Sequence, residues 1–114
     1  TTIPASCFKE STIQQVILPL NLTAIPDNAF HSSKITSIEI PASVTSIGSS
    51  AFYQCAALAG NLILPESLQS IGHSAFYECK KLSGSLTIPN SVTSLGNNAF
   101  DSCTGFKGTL TLGI

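Results

Sequence analysis

The chain has 114 residues, of which 10% are charged and 43% are hydrophobic, and its formal net charge is −1. Its five basic residues are scattered lysines, so it lacks the basic stripe that phosphate binding requires, and we expect no nucleic-acid partner. No apolar run approaches the roughly 18 residues of a membrane span, so we expect no membrane insertion by this segment. High apolar content with low charge also argues against a disordered tail.

Near copies of one segment follow each other at a step of 24 residues, beginning at Pro41, Pro65 and Pro89. A fixed step of this size is typical of a repeat array, in which each unit buries its apolar face against its neighbours. Neither end shows a polar cap, so we expect a piece of a longer array, with end-to-end self-association through the uncapped ends. We predict one array over residues 1–114, made of a partial unit 1–18 and units 19–40, 41–64, 65–88 and 89–112.

Unit 19–40 is two residues shorter than the units that follow it. One missing residue lies between Phe30 and Ile35, and the other lies between Ile35 and Ile38, where the next unit carries Gly60. Loops tolerate length changes better than packed segments do. We therefore interpret both as deletions in connections that leave the apolar pattern in phase.

A short strand is predicted immediately before the proline that opens each unit. Apolar residues alternate there, as at Leu62 and Leu64, and the proline then ends the strand. A second apolar pair follows the proline, for example Leu68 and Ile71, and Gly72 closes that segment with a turn. The predicted strands cover residues 16–18, 38–40, 62–64, 86–88 and 110–112.

An Ala-Phe pair comes next in each unit, with Cys7-Phe8 in its place in the first. A small residue beside a large aromatic suggests a tight helical or 3₁₀ turn that points the ring into the stack. Cys55, Cys79 and Cys103 then share one column, and at a sheet spacing of about 4.8 Å their thiols would form a buried ladder. Zinc sites use clustered spacings, and parallel side chains do not suit a disulfide dihedral, so neither metal nor cofactor is expected. Cys7 lies outside this column and should be easier to reach.

The pattern I-P-x-S-V-T-S-I-G-x-x-A-F-x-x-C-x-x-L resembles the BspA-like, or Treponema pallidum-type, class of leucine-rich repeat, and the resemblance covers nearly the whole chain. It implies a leucine-rich-repeat solenoid: a right-handed, strand-rich superhelix of the α/β type, with short parallel strands and 3₁₀ or short helical turns. It also implies a cell-surface or secreted location and an extracellular or host protein as partner. The chain departs from the pattern where Cys7 replaces Ala, Ser33 replaces Cys and Gly113 stands in place of Pro.

Catalysis is not expected from this sequence. His31 and His73 fall in different columns, no Ser or Cys nucleophile has a periodic or local partner, and the acidic residues occur singly. The common nucleophile, phosphate-binding and zinc-protease motifs are absent as well. We therefore predict a protein that is not an enzyme.

Candidate protein-binding residues come from the outward columns, since these can vary without disturbing the stack. Ile17 and Ile63 are either contact residues or an expression of strand propensity. Tyr53 and Tyr77 should stack on adjacent coils, and they either contact a partner or cover the phenylalanines beneath them. The strand column contributes Ile17, Glu39, Ile63, Thr87 and Thr111, and the tyrosine edge contributes His31, Tyr53, Tyr77, Glu78 and Asp101.

Three functions remain open from the sequence. The leading hypothesis is a protein-binding module of an adhesin or surface antigen. The alternative is a structural spacer that presents other domains, because the units are nearly identical and rich in serine and threonine. A third is binding to ice or another crystalline surface, since Thr45 and Thr93, and Thr87 and Thr111, form rows that Gln69 and Glu39 interrupt.

Overall fold

The computed structural model describes residues 3–112, with side chains described as far as Phe106. It contains seven strands within that range, and every strand pairing is parallel. Strands β1, β2, β4 and β6 form one sheet in that order, and β3, β5 and β7 form a second. The strands are β1 (Ala24–Ile25), β2 (Ser46–Ile47), β3 (Gly60–Asn61), β4 (Ser70–Ile71), β5 (Leu82–Ile88), β6 (Ser94–Leu95) and β7 (Phe106–Leu112).

Each strand of the first sheet ends at the second residue of the apolar pair that follows the proline. Strands of consecutive units pair residue for residue, at steps of 22 or 24 residues. Ile47 of β2 pairs with Ile25 of β1 on one side and with Ile71 of β4 on the other. All three side chains are buried, as the column predicts. Leu95 of β6 occupies the same column but is 50% exposed, so burial falls off in the last coil.

The Ala-Phe segment forms overlapping turns, and no helix occurs between residues 3 and 112. In the coil around Phe30, the amides of Ala29, His31 and Ser33 each donate to the carbonyl three residues earlier. The amides of Phe30 and Ser32, which alternate with them, donate to carbonyls of the next coil at 2.7 Å. Because every second amide is directed out of its own coil, a continuous 3₁₀ or α-helix cannot form, and the expected helical turn is replaced by this arrangement.

Two residues of each such turn have a positive φ. One precedes the Ala-Phe pair and the other follows the Phe by two positions, as at Asn28 (57°) and Ser32 (55°). A left-handed conformation costs roughly 1–2 kcal/mol for a residue with a Cβ, less for Asn or Asp. The hydrogen bonds between coils that these turns allow offset that cost in every unit.

Phenylalanine rings form the central stack of the core. Phe30, Phe52 and Phe76 are fully buried, and neighbouring rings lie parallel with centroids 5.2 Å and 5.0 Å apart. Phe8 and Phe100 extend the stack at 5.3 Å and 5.1 Å, and both are half-buried. The expectation that the Phe column points into the stack is confirmed.

Gly72 is required by the close approach of two coils. A Cβ at this position would lie 2.5 Å from the backbone nitrogen of Ser49 and 2.7 Å from the carbonyl carbon of Gly48. The Gly72 amide also donates to the Ile47 carbonyl at 2.8 Å. The glycine therefore allows two backbones to hydrogen-bond at a distance that no side chain would permit.

The predicted strand before each proline forms in only part of the chain. Strand β5 contains residues 86–88 and β7 contains 110–112, and both begin earlier than predicted, at Leu82 and Phe106. The register between β5 and β7 shifts by two residues along the strands. Leu86 pairs with Leu110, which is the 24-residue step, whereas Gly84 pairs with Phe106, which is a step of 22 residues. The bulge that results lies beside Gly84, whose φ is 78°.

Residues 16–18, 38–40 and 62–64 are not strands in the structure, so the prediction of a strand in these coils is wrong. The long strands of later coils begin in the glycine-containing segment that unit 19–40 lacks. The core residues around this deletion stay in phase, because Leu18 and Ile35 are buried. Ile38 and Ile40 are half-buried, however, and the deletion has removed the counterpart of Gly60, where β3 begins. It is therefore more than a shortened connection. Unit 41–64 keeps this glycine and β3 still ends at Asn61, so the deletion does not by itself account for residues 62–64.

Candidate protein-binding surfaces

A groove of about 800 Å³ lies over the extended segments of the first three coils. It contains three of the predicted site residues. Ile17 is 97% exposed, Ile63 is 74% exposed, and Glu39 is exposed between them in the same column. Leu20, at 88% exposure, extends the apolar surface beyond Pro19. The walls of the groove are formed by residues 15–18, Leu20, 37–42, Asn61 and Ile63.

The main chain along this groove lacks the pairing found in the later coils. In the part of the chain that is described, the amides and carbonyls of residues 15–18 and 37–40 make no hydrogen bond to a neighbouring coil. The nearest contacts between these coils precede the groove, where Lys34 N donates to Ser11 O and Thr36 N donates to Gln14 O. Two segments that line the groove therefore have main-chain donors and acceptors that are not paired with a neighbouring coil.

Glu39 is the single charged residue among those that line this groove. Within residues 3–106 its carboxylate has neither an ion pair nor a hydrogen bond. Since its surroundings are mainly apolar, the carboxylate gives the groove a negative character.

Beyond the groove, the outward column contains threonines on paired strands in place of isoleucine and glutamate on unpaired main chain. Thr87 is exposed on β5, where the main chain is paired with β7. Thr111 pairs with Thr87 through the backbone, and its side chain lies outside the described residues.

The tyrosine edge is a second candidate surface, on which Tyr53 and Tyr77 stack as predicted and His31 joins them. His31, Tyr53 and Tyr77 lie parallel, with centroid separations of 4.7 Å and 4.9 Å. All three rings are half-buried. Because the inner ring faces contact one another, the stack presents mainly ring edges and hydroxyl groups to solvent. Asp101 is exposed one coil further on.

Glu78 organises the charges at this edge. Its Oε1 accepts a hydrogen bond from Gln54 Nε2 at 2.7 Å, and its Oε2 lies 3.9 Å from Lys80 Nζ. The Glu78 carboxylate raises the pKa of Tyr77, with smaller contributions from burial, Tyr53 and Asp101. Glu78 is therefore half-buried and already partnered, in contrast to Glu39.

A shallow depression of about 650 Å³ lies beside Glu78. Lys34, Lys80 and Lys81 border it, together with small residues such as Ala56. All three lysines are exposed, and Lys80 and Lys81 are adjacent in sequence. The one buried polar side chain among the lining residues, Ser33, is already paired with the cysteine column, so it does not define a ligand site.

The cysteine column is part of the core. The thiols of Cys55 and Cys79 are buried and donate to the carbonyls of Phe30 and Phe52, each at 3.0 Å. Half-buried Cys103 donates to the Phe76 carbonyl at 2.8 Å. These bonds bind each coil to the one before it, which explains a thiol at this position.

The three thiols of the column differ in acidity, because hydrogen bonding with Cys79 lowers the pKa of Cys55 and of Cys103. The neighbouring thiols of Cys103 and Cys55, together with burial, raise the pKa of Cys79. Ser33 replaces the cysteine in its unit and lies 3.8 Å from Cys55 Sγ, so its hydroxyl continues the column. The four cysteines are free thiols, and Cys7 is exposed.

The histidines are used in packing. His73 Nδ1 accepts the Asn97 amide at 2.9 Å, which joins two coils. His31 Nδ1 lies 3.1 Å from the Ser32 hydroxyl, a local pairing that is not apparent from the repeat columns. No carboxylate contacts His31 in the described part of the chain, so this pair lacks the third group that would orient a base. Among residues 3–106 there is also no cluster of three or more His, Cys, Asp or Glu side chains that could hold a metal ion.

The serine and threonine columns are largely engaged in bonds between coils. Ser67 Oγ donates to the Val44 carbonyl at 2.7 Å, and Ser43 and Ser91 make equivalent bonds. Thr45 Oγ1 donates to Thr23 O at 3.2 Å, and Thr93 Oγ1 lies 3.4 Å from Gln69 O. These hydroxyls therefore contribute to the frame.

Across the described residues there is no helix long and apolar enough to cross a bilayer.

A family model described as the BspA type leucine rich repeat region matches residues 1–108 in six copies. The chain belongs to the BspA-type leucine-rich-repeat family. Its parallel sheets and stacked coils are those of a leucine-rich-repeat solenoid, as the sequence predicted. No match was found among curated proteins.

Solved structures with this leucine-rich-repeat fold are similar to the chain. A leucine-rich repeat protein from Bacteroides ovatus is 34% identical with a TM-score of 0.81, and the alignment covers 95% of this chain and 28% of that one. The pneumococcal vaccine antigen PcpA is 35% identical with a TM-score of 0.74, covering 97% and 26%. A leucine rich cell surface protein from Faecalibacterium prausnitzii is 30% identical with a TM-score of 0.60, covering 97% and 35%. The chain thus spans about a quarter to a third of these proteins' lengths.

Proposed function

We propose that this chain is a non-catalytic protein-binding segment of a cell-surface or secreted protein. The observation that carries the proposal is the groove around Glu39, where Ile17 and Ile63 are largely exposed beside unpaired main chain. Exposed apolar residues grouped in one concave surface are typical of interaction sites. Similarity to a vaccine antigen and to a leucine rich cell surface protein supports an extracellular location.

The groove is a better binding surface than the tyrosine edge. Tyr53 and Tyr77 are half-buried, and stacking covers both faces of Tyr53 and one face of Tyr77, which reduces their contact area. Ile17 and Ile63 would bury most of their surface against a partner, at about 25 cal/mol for each Å² of apolar area removed from water. We therefore assign recognition to the groove and a supporting role to the edge.

The test is a binding screen of the immobilised 114-residue chain against extracellular-matrix and plasma proteins. Wild type is compared with Ile17→Ser and Ile63→Ser in the groove, and with the Tyr53→Ala/Tyr77→Ala double variant. Thr87→Ser is the matched control, because it changes the same outward column where the main chain is paired. We expect saturable binding that falls at least tenfold in either isoleucine variant and is unchanged in Thr87→Ser.

A structural spacer is the second candidate. The observation in its favour is the regular use of hydroxyl and thiol columns for bonds between coils, which stiffens an array without requiring a partner. Failure of the wild type to bind any protein in the screen would favour the spacer. Loss of binding in the tyrosine variant alone would keep the binding function but move it to the tyrosine edge. The threonine hydroxyls that bond to backbone carbonyls give no support to a crystalline-surface function.

A further inference from the structure

We infer that the groove binds its partner by strand addition, accepting an extended segment whose central residue is Lys or Arg between two apolar residues. The inference rests on the proposed function and specifies the partner's chemistry. It derives from two independent features of the groove: the unpaired main chain of its walls and the single carboxylate of Glu39.

The main-chain groups define the conformation of the occupant. Residues 15–18 and 37–40 alternate between exposed and more buried side chains, as a strand does, and their amides and carbonyls make no bond to a neighbouring coil, whereas β5 and β7 pair at the equivalent positions. A small molecule or a glycan could satisfy only some of these groups. An extended polypeptide presents donors and acceptors at the strand repeat, so it can pair with a wall along its length.

The side chains define the composition of the occupant. Ile17 and Glu39 line the groove in the same outward column of neighbouring coils, so a residue bound in the groove at that level would lie next to both. A lysine or arginine fits this place, because its aliphatic stem packs on Ile17 while its charge approaches the Glu39 carboxylate. The residues on either side of it point the other way, toward half-buried Val16 and Ile38, where apolar side chains are favoured.

Glu39 is the one carboxylate that lines the groove. Glu78, one of the two acidic residues of the tyrosine edge, is already bonded to Gln54 and lies near Lys80. Glu39 has no such partner within the described side chains, and no lysine lines the groove. An incoming basic residue would therefore meet an uncompensated carboxylate.

The probe is a labelled heptapeptide of sequence TTVKVTT, whose binding to the 114-residue chain is measured by fluorescence anisotropy. Three matched controls are used: TTVEVTT, a version N-methylated at two amides, and a protein carrying Thr87→Ser. We expect TTVKVTT to bind at least tenfold more tightly than TTVEVTT. N-methylation should weaken binding by a similar factor, because it removes donors without changing the side chains.

Two variants at exposed Glu39 test the charge without disturbing the core. Glu39→Gln should abolish the preference for TTVKVTT over TTVEVTT, and Glu39→Lys should reverse it. An unchanged preference in Glu39→Lys would overturn the inference. Equal binding of the N-methylated peptide would overturn strand addition, and absence of binding at millimolar peptide would overturn both parts.

The occupant could instead be a second copy of this chain, and light scattering on the same proteins decides this. Dimerisation of the wild type that is lost in Glu39→Lys would assign the groove to a second copy and overturn the inference. The screen under Proposed function has a separate outcome. Capture of a protein that is lost in Ile17→Ser, without any peptide selectivity, would keep the proposed function and refute strand addition.

Discussion

The phenylalanine stack allows a stability prediction that depends on position within the array. Phe52 is fully buried and contacts a ring on each side, at 5.2 Å and 5.0 Å. Phe8 occupies the same column but is half-buried and has one ring neighbour, at 5.3 Å. The same substitution at the two positions should therefore have clearly different effects on the free energy of unfolding.

The magnitudes follow from burial and ring contacts. Phe52→Ala removes a buried ring and leaves a cavity between Phe30 and Phe76, which costs about 3–5 kcal/mol. Phe8→Ala loses about half of the roughly 1.5–3 kcal/mol of a buried side chain and one ring contact of about 0.5–1.5 kcal/mol. Because Phe8 leaves no enclosed cavity, the expected cost is about 1.3–3 kcal/mol.

Urea unfolding followed by far-ultraviolet circular dichroism measures the two costs. Phe52→Leu is the control for shape, since it preserves most of the apolar volume and should destabilise less than Phe52→Ala. The reasoning would be refuted if Phe8→Ala lowered the free energy of unfolding as much as Phe52→Ala does. That result would mean that the rings contribute equally along the array, whatever their burial.

Three further predictions concern the frame. Gly72→Ala should destabilise by about 1–3 kcal/mol through its contact with the Ser49 backbone, and a thermal midpoint within 1 °C of wild type would contradict it. The raised pKa of Cys79 means that the unfolded state loses this proton first, so the contribution of Cys79 to stability should fall as pH rises above about 8.5. Cys79→Ala, which lacks this contribution, should lose less stability than wild type between about pH 8 and 10, and an equal loss would contradict the prediction. In the native protein Cys7 should react with iodoacetamide far faster than buried Cys79, and mass spectrometry that finds equal rates would contradict the buried ladder.

Much of the fold could be predicted from the sequence because a repeat shows its core column by column. The residues at Ile25, Ile47 and Ile71 recur in phase, and all are buried. The conformation of the Ala-Phe segment could not be predicted in the same way, because the sequence suggested a helical turn and the structure has overlapping turns without a helix. Whether the amide of Phe30 bonds within its own coil or to the next one depends on coil spacing, which no single unit encodes.

Only part of the groove could be predicted from the sequence. Exposure of Ile17 and Ile63 followed from their column, but the missing strand pairing did not. The signal was present in the two-residue deletion of unit 19–40, which removes the counterpart of Gly60. From the sequence alone this deletion indicates a shortened loop, because the sequence does not show that the later strands begin in that segment. The unpartnered state of Glu39 likewise depends on which side chains the coils bring near it.

Residue-resolved amide hydrogen exchange of the free chain tests the central claim most directly, because strand addition requires unpaired main chain in the groove. The amides of residues 37–40 should exchange nearly as fast as those of an unstructured peptide, while those of 86–88 in β5 should be strongly protected. Protection of 37–40 equal to that of 86–88 would show a closed sheet across these coils and contradict the account of the binding groove.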